Sequence, residues 1–534
     1  MIPRRFILVA ALAACAAPQP VASPAPAPTP AAAMAPIDEV VLRADLSRFA
    51  SDEFRGRETG TPGERMSARF IAERAAELGL EPAGDSGFYQ RVPLVLEQVA
   101  DTSPFTVTRG NRTVSLQAGS DVIPLISLGD GVYARQRAQG GIVFAGYGVR
   151  DPVTGRDDLA NLDVRNRIVV VVMGAPAGVD DATRRQLEGQ DGLSIRLQRL
   201  IPMGPAAVVL LFGGETGASL FEQFIPVTMR SMTLAAGSAA PPPDAQRQVP
   251  MILLGRVERA AALLPAQWPD DVRPQALPAQ FSGNAVTTRT AITGYNVVAT
   301  LRGSDARMNR SYVAIGAHHD HVGILAAVAG DSIANGADDD GSGSMGMLAV
   351  ARSMVTGPRP RRSVLFIWHT AEEQGLLGSQ HFTERPTVPI DSVVAMLNMD
   401  MVGRNGGVTE DFVAAGGTPS PDRLFIVGPA AAPSRQSRVL GTVVDSVNAA
   451  QARPFALDRT WDDPDHPERL YFRSDHFNYA QKGIPVVFLT TGLHEDYHKV
   501  GDEVSKIDFP KLARVSALVR DITTALANRP TRPR

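Results

Sequence analysis

The chain has a single cysteine in 534 residues, Cys15, so no intramolecular disulfide can staple the fold. It has few lysines: Lys482, Lys499, Lys506 and Lys511 stand among 53 lysines and arginines, and the formal net charge is only -3. That balance offers no basic stripe for nucleic acid and no field to draw the protein onto an anionic surface. Long apolar runs are missing too. The run Phe6–Ala14 is far shorter than the ~20 residues that cross a bilayer. No Gly-x-Ser-x-Gly elbow occurs, which removes the usual signature of an α/β serine hydrolase. What is present is ordinary for a globular protein: 44% apolar and 20% charged residues, and a length that suggests two folded units.

Arg4 and Arg5 precede the apolar run, as in a secretion signal. The run closes on Leu12-Ala13-Ala14-Cys15, which resembles a bacterial lipobox. That resemblance implies a signal peptide over 1–14 and a lipidated Cys15. The other reading is a plain signal peptide cut nearby, with Cys15 incidental. Ala16 to Pro36 is nearly all Ala, Pro and Ser, so 15–36 reads as an extended tether without a core. The expected location is an exported lipoprotein facing the periplasm or exterior, touching the membrane only through its anchor.

Beyond the tether, apolar spacing predicts a helix from Glu64 to Leu78, stopped by Gly79, with a loop over Gly56–Gly63 before it. Short apolar runs at Ile142–Phe144, Ile168–Val172 and Val208–Phe212 read as strands, with a helix carrying Leu193, Leu197 and Leu200. From about Ala291 strands alternate with helices. Strands are expected at Tyr312–Gly316, Val364–Trp368, Val393–Leu397 and Ile484–Leu489. Helices are expected over Ser342–Met354, from near Ala371, and from Asp508 with Pro510 in its first turn. The pattern predicts an α/β, doubly wound, mostly parallel mixed sheet flanked by helices. The expected division is 37–124 and 281–530 for this unit, with 125–280 as a β-rich insertion and connecting segment.

All nine histidines lie between His318 and His498. Clusters of polar residues follow the expected strand ends, where ligands of open α/β sheets gather. Gly316-Ala317-His318-His319-Asp320-His321 could bind a metal through His318, with Asp320 accepting a hydrogen bond from its other ring nitrogen. Three adjacent carboxylates, Asp338, Asp339 and Asp340, repel one another unless a cation is near, although a polar helix start also favours acids. Glu372 and Glu373 stand where a strand gives way to a helix, so one could hold metal while the other handles a proton. Asp400 ends an apolar run, where an unpaired carboxylate is costly. His494 and His498 follow the last strand.

Taken in order, HxD, GADDDxSG, AEExGLxGS, NMDMVGR and DYHxxxD resemble the di-zinc aminopeptidases of clan MH. The resemblance implies a zinc exopeptidase fold and two Zn2+. His318 and Asp400 would hold one ion, Glu373 and His498 the other, and Asp339 would bridge them, with a cis peptide between Asp339 and Asp340. Glu372 would be the general base. Tyr471, in Tyr471-Phe472-Arg473-Ser474-Asp475-His476, matches a tyrosine that steadies the tetrahedral intermediate, although Arg473 stands at a cysteine position of some relatives. Phe144–Gly148 and Asp163–Val169 resemble the protease-associated domain. The implied activity is removal of N-terminal residues from peptides. A carboxypeptidase or dipeptidase on the same scaffold, a glutaminyl cyclase-type acyltransferase and a non-catalytic binding protein are the alternatives. A carboxypeptidase would need a cation for the terminal carboxylate, and Arg404 and Arg473 both stand near the motifs.

Overall fold

The computed structural model describes residues 34–533, apart from 127–131, 152–154, 189, 215–220, 222–228, 236–246, 270–271, 407–418, 431–436 and 467. The signal, Cys15 and most of the tether lie outside the described residues.

A ten-stranded mixed sheet organises the larger unit. Its centre is four parallel strands, in the spatial order Ser363–His369, Tyr312–His318, Val393–Met399 and Val486–Thr490. These strands are buried on both faces, which explains their nearly unbroken apolar sequence. Side chains nevertheless alternate. Val313, Ile315, Val364, Phe366, Leu397 and Leu489 point to one apolar layer. Ala314, Leu365, Ile367, Met396 and Phe488 point to the other. The first layer is closed by the helices Pro62–Glu77, Gly343–Val355 and Phe509–Asn528. The last of these is capped by Asp508, whose side chain accepts from the Lys511 amide. The first described residues pack at the far end of the Gly343–Val355 helix. There the Ala35 carbonyl accepts from the Ser353 hydroxyl and from Arg520, 2.9 Å away.

A second, eight-stranded sheet has its own core and runs from Pro104 to Asn284. It includes the strands Arg137–Phe144, Ile168–Met173 and Ala207–Phe212, each containing an expected apolar run. The expected boundaries at 125 and 280 fall inside this sheet, because Pro104–Arg109, Arg112–Gln117 and Val122–Pro124 already belong to it. The physical break lies earlier. Tyr89–Val99 pairs antiparallel with Thr287–Leu301, so the chain leaves the larger sheet at Val99 and rejoins it at Thr287. One segment of the excursion returns part-way: Arg230–Leu234 pairs with Tyr89–Val99 and forms the edge of the larger sheet.

Candidate metal centre

The carboxyl ends of the four parallel strands deliver the predicted side chains to one place. His318 is the last residue of its strand, and Asp400 follows the strand ending in Met399. Glu372 and Glu373 come just after the strand ending in His369, and His498 lies on the loop after Thr490. The helix expected near Ala371 instead opens at Leu377. Ala371 and Leu376 both adopt left-handed backbone (φ 53 and 60), which keeps 371–376 as a tight turn. Both glutamates therefore project from a turn towards the same group of histidines, His318, His321 and His498.

Asp339 lies at the middle. Its Oδ1 is 3.2 Å from His318 Nε2 and its Oδ2 is 3.1 Å from His498 Nε2. Asp400 Oδ1 lies 3.6 Å and Glu372 Oε2 3.8 Å from His318 Nε2. Glu373 Oε2 is 2.8 Å from His498 Nε2, and Glu373 Oε1 is 2.8 Å from His321 Nδ1. Two overlapping donor sets result, His318 with Glu372 and Asp400, and His321 with Asp339 and Glu373. His321 was not among the residues expected to hold metal; its sequence signal was only its place in the first histidine cluster.

The neighbouring aspartates face elsewhere, which explains how three in a row coexist. Asp340 accepts from the amides of His318, Gly343 and Met401 at 3.1, 2.9 and 3.2 Å. Asp338 accepts from the Gly403 amide at 2.6 Å and lies 3.3 Å from His494 Nε2. Asp502 takes the amides of Asp338 and Asp339. Only the middle carboxylate is left to face the cavity; the Asp339–Asp340 peptide is cis.

Asp320 differs from expectation. His318 Nδ1 contacts the Asp320 backbone carbonyl at 3.1 Å, while the Asp320 carboxylate stands 3.8 Å from that nitrogen. The carboxylate instead accepts from the Glu372 amide at 3.1 Å and the Thr59 hydroxyl at 2.9 Å. It thus positions the glutamate turn, and the imidazole is oriented by main chain. Tyr471 stands on the Leu470–Phe472 turn. It is fully buried, with its ring packed against Phe472, His476 and Phe477. The tyrosine lying against the metal-ligand set is Tyr497, stacked on His498 with ring centres 3.8 Å apart.

Three supporting residues escaped the sequence. Arg57, read as part of a loop, is fully buried and donates to the carbonyls of His319, Asn335 and Gly336 at 3.0, 2.6 and 2.9 Å. It ties together the two segments that carry His318 and Asp339. Ser474 donates to Asp400 Oδ2 at 2.6 Å and accepts from Asn398 at 2.7 Å. Glu64 is buried in the Pro62–Glu77 helix and accepts from the Tyr295 amide and the Thr370 hydroxyl.

The electrostatics call for positive charge. Burial, with Asp400 and Glu373 beside it, pushes the Glu372 carboxyl well above its usual range, against the opposing pull of His318. Despite their burial, Glu373 is held down to about 2 by its histidines, and His498 is pushed up to about 10 by Glu373 and Asp339. Yet Asp339 Oδ2 and His498 Nε2 are buried and make no hydrogen bond among the described residues, although only 3.1 Å apart. Both atoms are thus buried, close together and unsatisfied. That is how a metal donor set is disposed, and the nitrogen and oxygen donors suit zinc.

Residues 296–523 match the model of peptidase family M28. Among solved structures, the chain is similar to an aminopeptidase from Aneurinibacillus sp. strain AM-1, with a TM-score of 0.54 and 17% identity, over 93% of this chain and 96% of that one. A zinc aminopeptidase from Bacillus subtilis gives a TM-score of 0.51 and 16% identity over 91% and 94%. Both likenesses concern the fold. Leucine aminopeptidase 2 of Trichophyton equinum is 26% identical over 279 residues, which are 47% of this chain and 49% of that protein. The chain thus spans about half the length of the curated relatives it matches. All six residues described as the cluster, His318, Asp339, Glu372, Glu373, Asp400 and His498, lie within the M28 segment.

Glu64 generates a stability test. Burial raises its carboxyl to about 8, against about 4.3 in an unfolded chain. The folded state therefore keeps a proton that the unfolded state releases. The contribution is full below about pH 4.3 and is lost as pH rises towards 8. Glu64→Gln should flatten this loss, so that the variant gains on the wild type by on the order of a few kcal/mol between pH 5 and 9. Urea denaturation across that range checks it; parallel curves for the two proteins would contradict it.

Proposed function

We propose that the protein is a zinc-dependent aminopeptidase acting on peptides outside the cytoplasm. The observation that carries this reading is the single carboxylate of Asp339, whose two oxygens face two different histidines, His318 and His498. In this reading His318 and Asp400, Glu373 and His498, and Asp339 between them, would hold two Zn2+. His321 supports Glu373 through their 2.8 Å contact. Zinc bound there would supply Lewis acidity and lower the pKa of a water towards about 7.

The chain's own groups then divide the work. Glu372 has its carboxylate 3.8 Å from His318 Nε2 and its amide fixed by Asp320, so the carboxylate is placed to take a proton from the attacking water. The water oxygen bonds to the peptide carbonyl carbon, the carbon–nitrogen bond breaks, and Glu372 returns the proton to the departing amine. Asp320, Ser474 and Arg57 hold Glu372, Asp400 and the backbone beneath His318 and Asp339. Glu372, Glu373, Asp400 and the buried Asp475 concentrate carboxylates around the cluster, an environment that favours a substrate's free ammonium. Arg404, one of two cations considered for a carboxypeptidase, instead faces Asp496 at 2.9 Å and Asp502 at 3.7 Å. A binding protein without catalysis would be expected to lack a ligand or the base, and none of the six is missing.

The 104–284 sheet is read as a protease-associated insertion. Support comes from its separate core and from the absence of its described residues from the cluster. The start of the chain is read as a lipoprotein signal. Cys15→Ser should move the protein from the membrane fraction to the soluble fraction; membrane retention with an unchanged N-terminus would refute the anchor.

Peptides with a free N-terminus should be hydrolysed and their N-acetylated forms should resist; C-terminal trimming of acetylated peptides would instead favour a carboxypeptidase. Glu372→Gln keeps shape but removes the proton acceptor. It should lower kcat by about 10²–10⁴-fold while still binding zinc, measured by metal content after dialysis. Full turnover, or loss of zinc, would overturn the role given to Glu372.

A further inference from the structure

The cations near the cluster are not alike. Arg57 is buried against backbone carbonyls, and Arg404 is 13% exposed between two aspartates. Arg473 is 37% exposed. It closes the short turn Leu470–Phe472 and directly precedes Ser474, whose hydroxyl holds Asp400. Its Nη1 donates to Glu468 and its Nη2 to the phenol oxygen of Tyr497, both at 3.3 Å. The Tyr497 ring in turn lies flat on His498. The guanidinium is therefore one aromatic ring away from the cluster, and close enough to Glu372 for that carboxylate to favour its charged form.

The chemistry of this pair is specific. A guanidinium has five N–H donors, and the described residues take two. The Tyr497 hydroxyl accepts from Arg473, so its own proton is available to donate. Together they offer a fork of charge-assisted donors, the geometry that matches a carboxylate. The partner already present, Glu468, is partly exposed, at 22%, and an ion pair of that kind is weak enough to exchange. Beside a cluster otherwise made of acids and histidines, this is a place for negative charge.

We propose that Arg473, together with Tyr497, binds a carboxylate carried by the substrate residue immediately beyond the scissile bond, making short peptides with a free C-terminus, or peptides with Asp or Glu at the second position, the preferred substrates. This rests on the aminopeptidase reading and names the substrate class for it.

Three substrates separate the possibilities: Leu-Gly, Leu-Gly amide and Leu-Asp amide, each assayed with the zinc-loaded full chain. At least one carboxylate-bearing substrate should exceed Leu-Gly amide by about tenfold or more in kcat/KM, mainly through KM. A preference for Leu-Gly alone identifies the terminal carboxylate as the source, and a preference for Leu-Asp amide alone identifies the side chain. Arg473→Gln should bring the ratio towards one. Arg473→Lys should restore part of it, since the charge returns without the fork, and Tyr497→Phe should lower it while keeping the ring stack. A wild-type ratio near one, or a ratio that persists in Arg473→Gln, would overturn the proposal. Failure of the wild type to cleave any of the three while it cleaves N-acetylated peptides would overturn the aminopeptidase reading itself, a separate outcome.

Discussion

Carboxylates crowd the carboxyl edge of the central strands: Asp320, Asp338, Asp339, Asp340, Glu372, Glu373, Asp400, Asp475 and Asp502 all lie there, most of them fully buried. Like charges removed from water repel strongly, and the surrounding structure is arranged to offset this. Backbone amides take up Asp338, Asp340 and Asp502. Arg57 adds a buried positive charge without neutralising any one acid, because its donors go to carbonyls. The carboxylates left over are the ones that face the cavity. Selection among neighbours thus comes from which acids the main chain satisfies, and three consecutive aspartates end with different tasks.

Much of this was legible in the sequence, for a physical reason. Parallel strands covered on both faces must be apolar throughout, so Tyr312–His318 and Val393–Met399 announce themselves, and any polar residue at their ends stands out. The supporting contacts were not legible. Arg57 reaches residues 262 to 279 positions away, and nothing local to a Gly-Arg-Glu-Thr-Gly segment distinguishes a buried guanidinium from a solvated one. Sequence cannot separate the two oxygens that Asp320 offers His318, because its carbonyl at 3.1 Å and its carboxylate at 3.8 Å both approach the same imidazole nitrogen. The ring contacts of Tyr471 with Phe472 and Phe477 likewise depend on packing that sequence neighbours alone do not specify. The edges of the inserted sheet escaped because alternating strands such as Pro104–Arg109 carry no mark of which sheet they will join.

The insertion is nonetheless linked to the cluster. Its returning strand, Arg230–Leu234, extends the larger sheet, and Arg230 pairs with Glu58. Glu58 stands between Arg57, which ties the backbone under the ligands, and Thr59, which donates to Asp320. A single short loop therefore meets the insertion on one side and both supports of the cavity on the other. Burial of Arg57 makes that loop rigid from within, while the ion pair fixes it from outside.

The Ala35 carbonyl is gripped by Ser353 and Arg520 at the C-terminal turn of the Gly343–Val355 helix. The opposite end of that helix abuts Asp340 and the cavity, roughly 20 Å away for thirteen residues at 1.5 Å each. The polypeptide thus enters the folded body at the pole remote from the cleft. Whatever is joined upstream of Met34, whether a bead, a fusion partner or a surface, holds the protein by its back. An attachment made there is separated from Asp340 by the length of that helix.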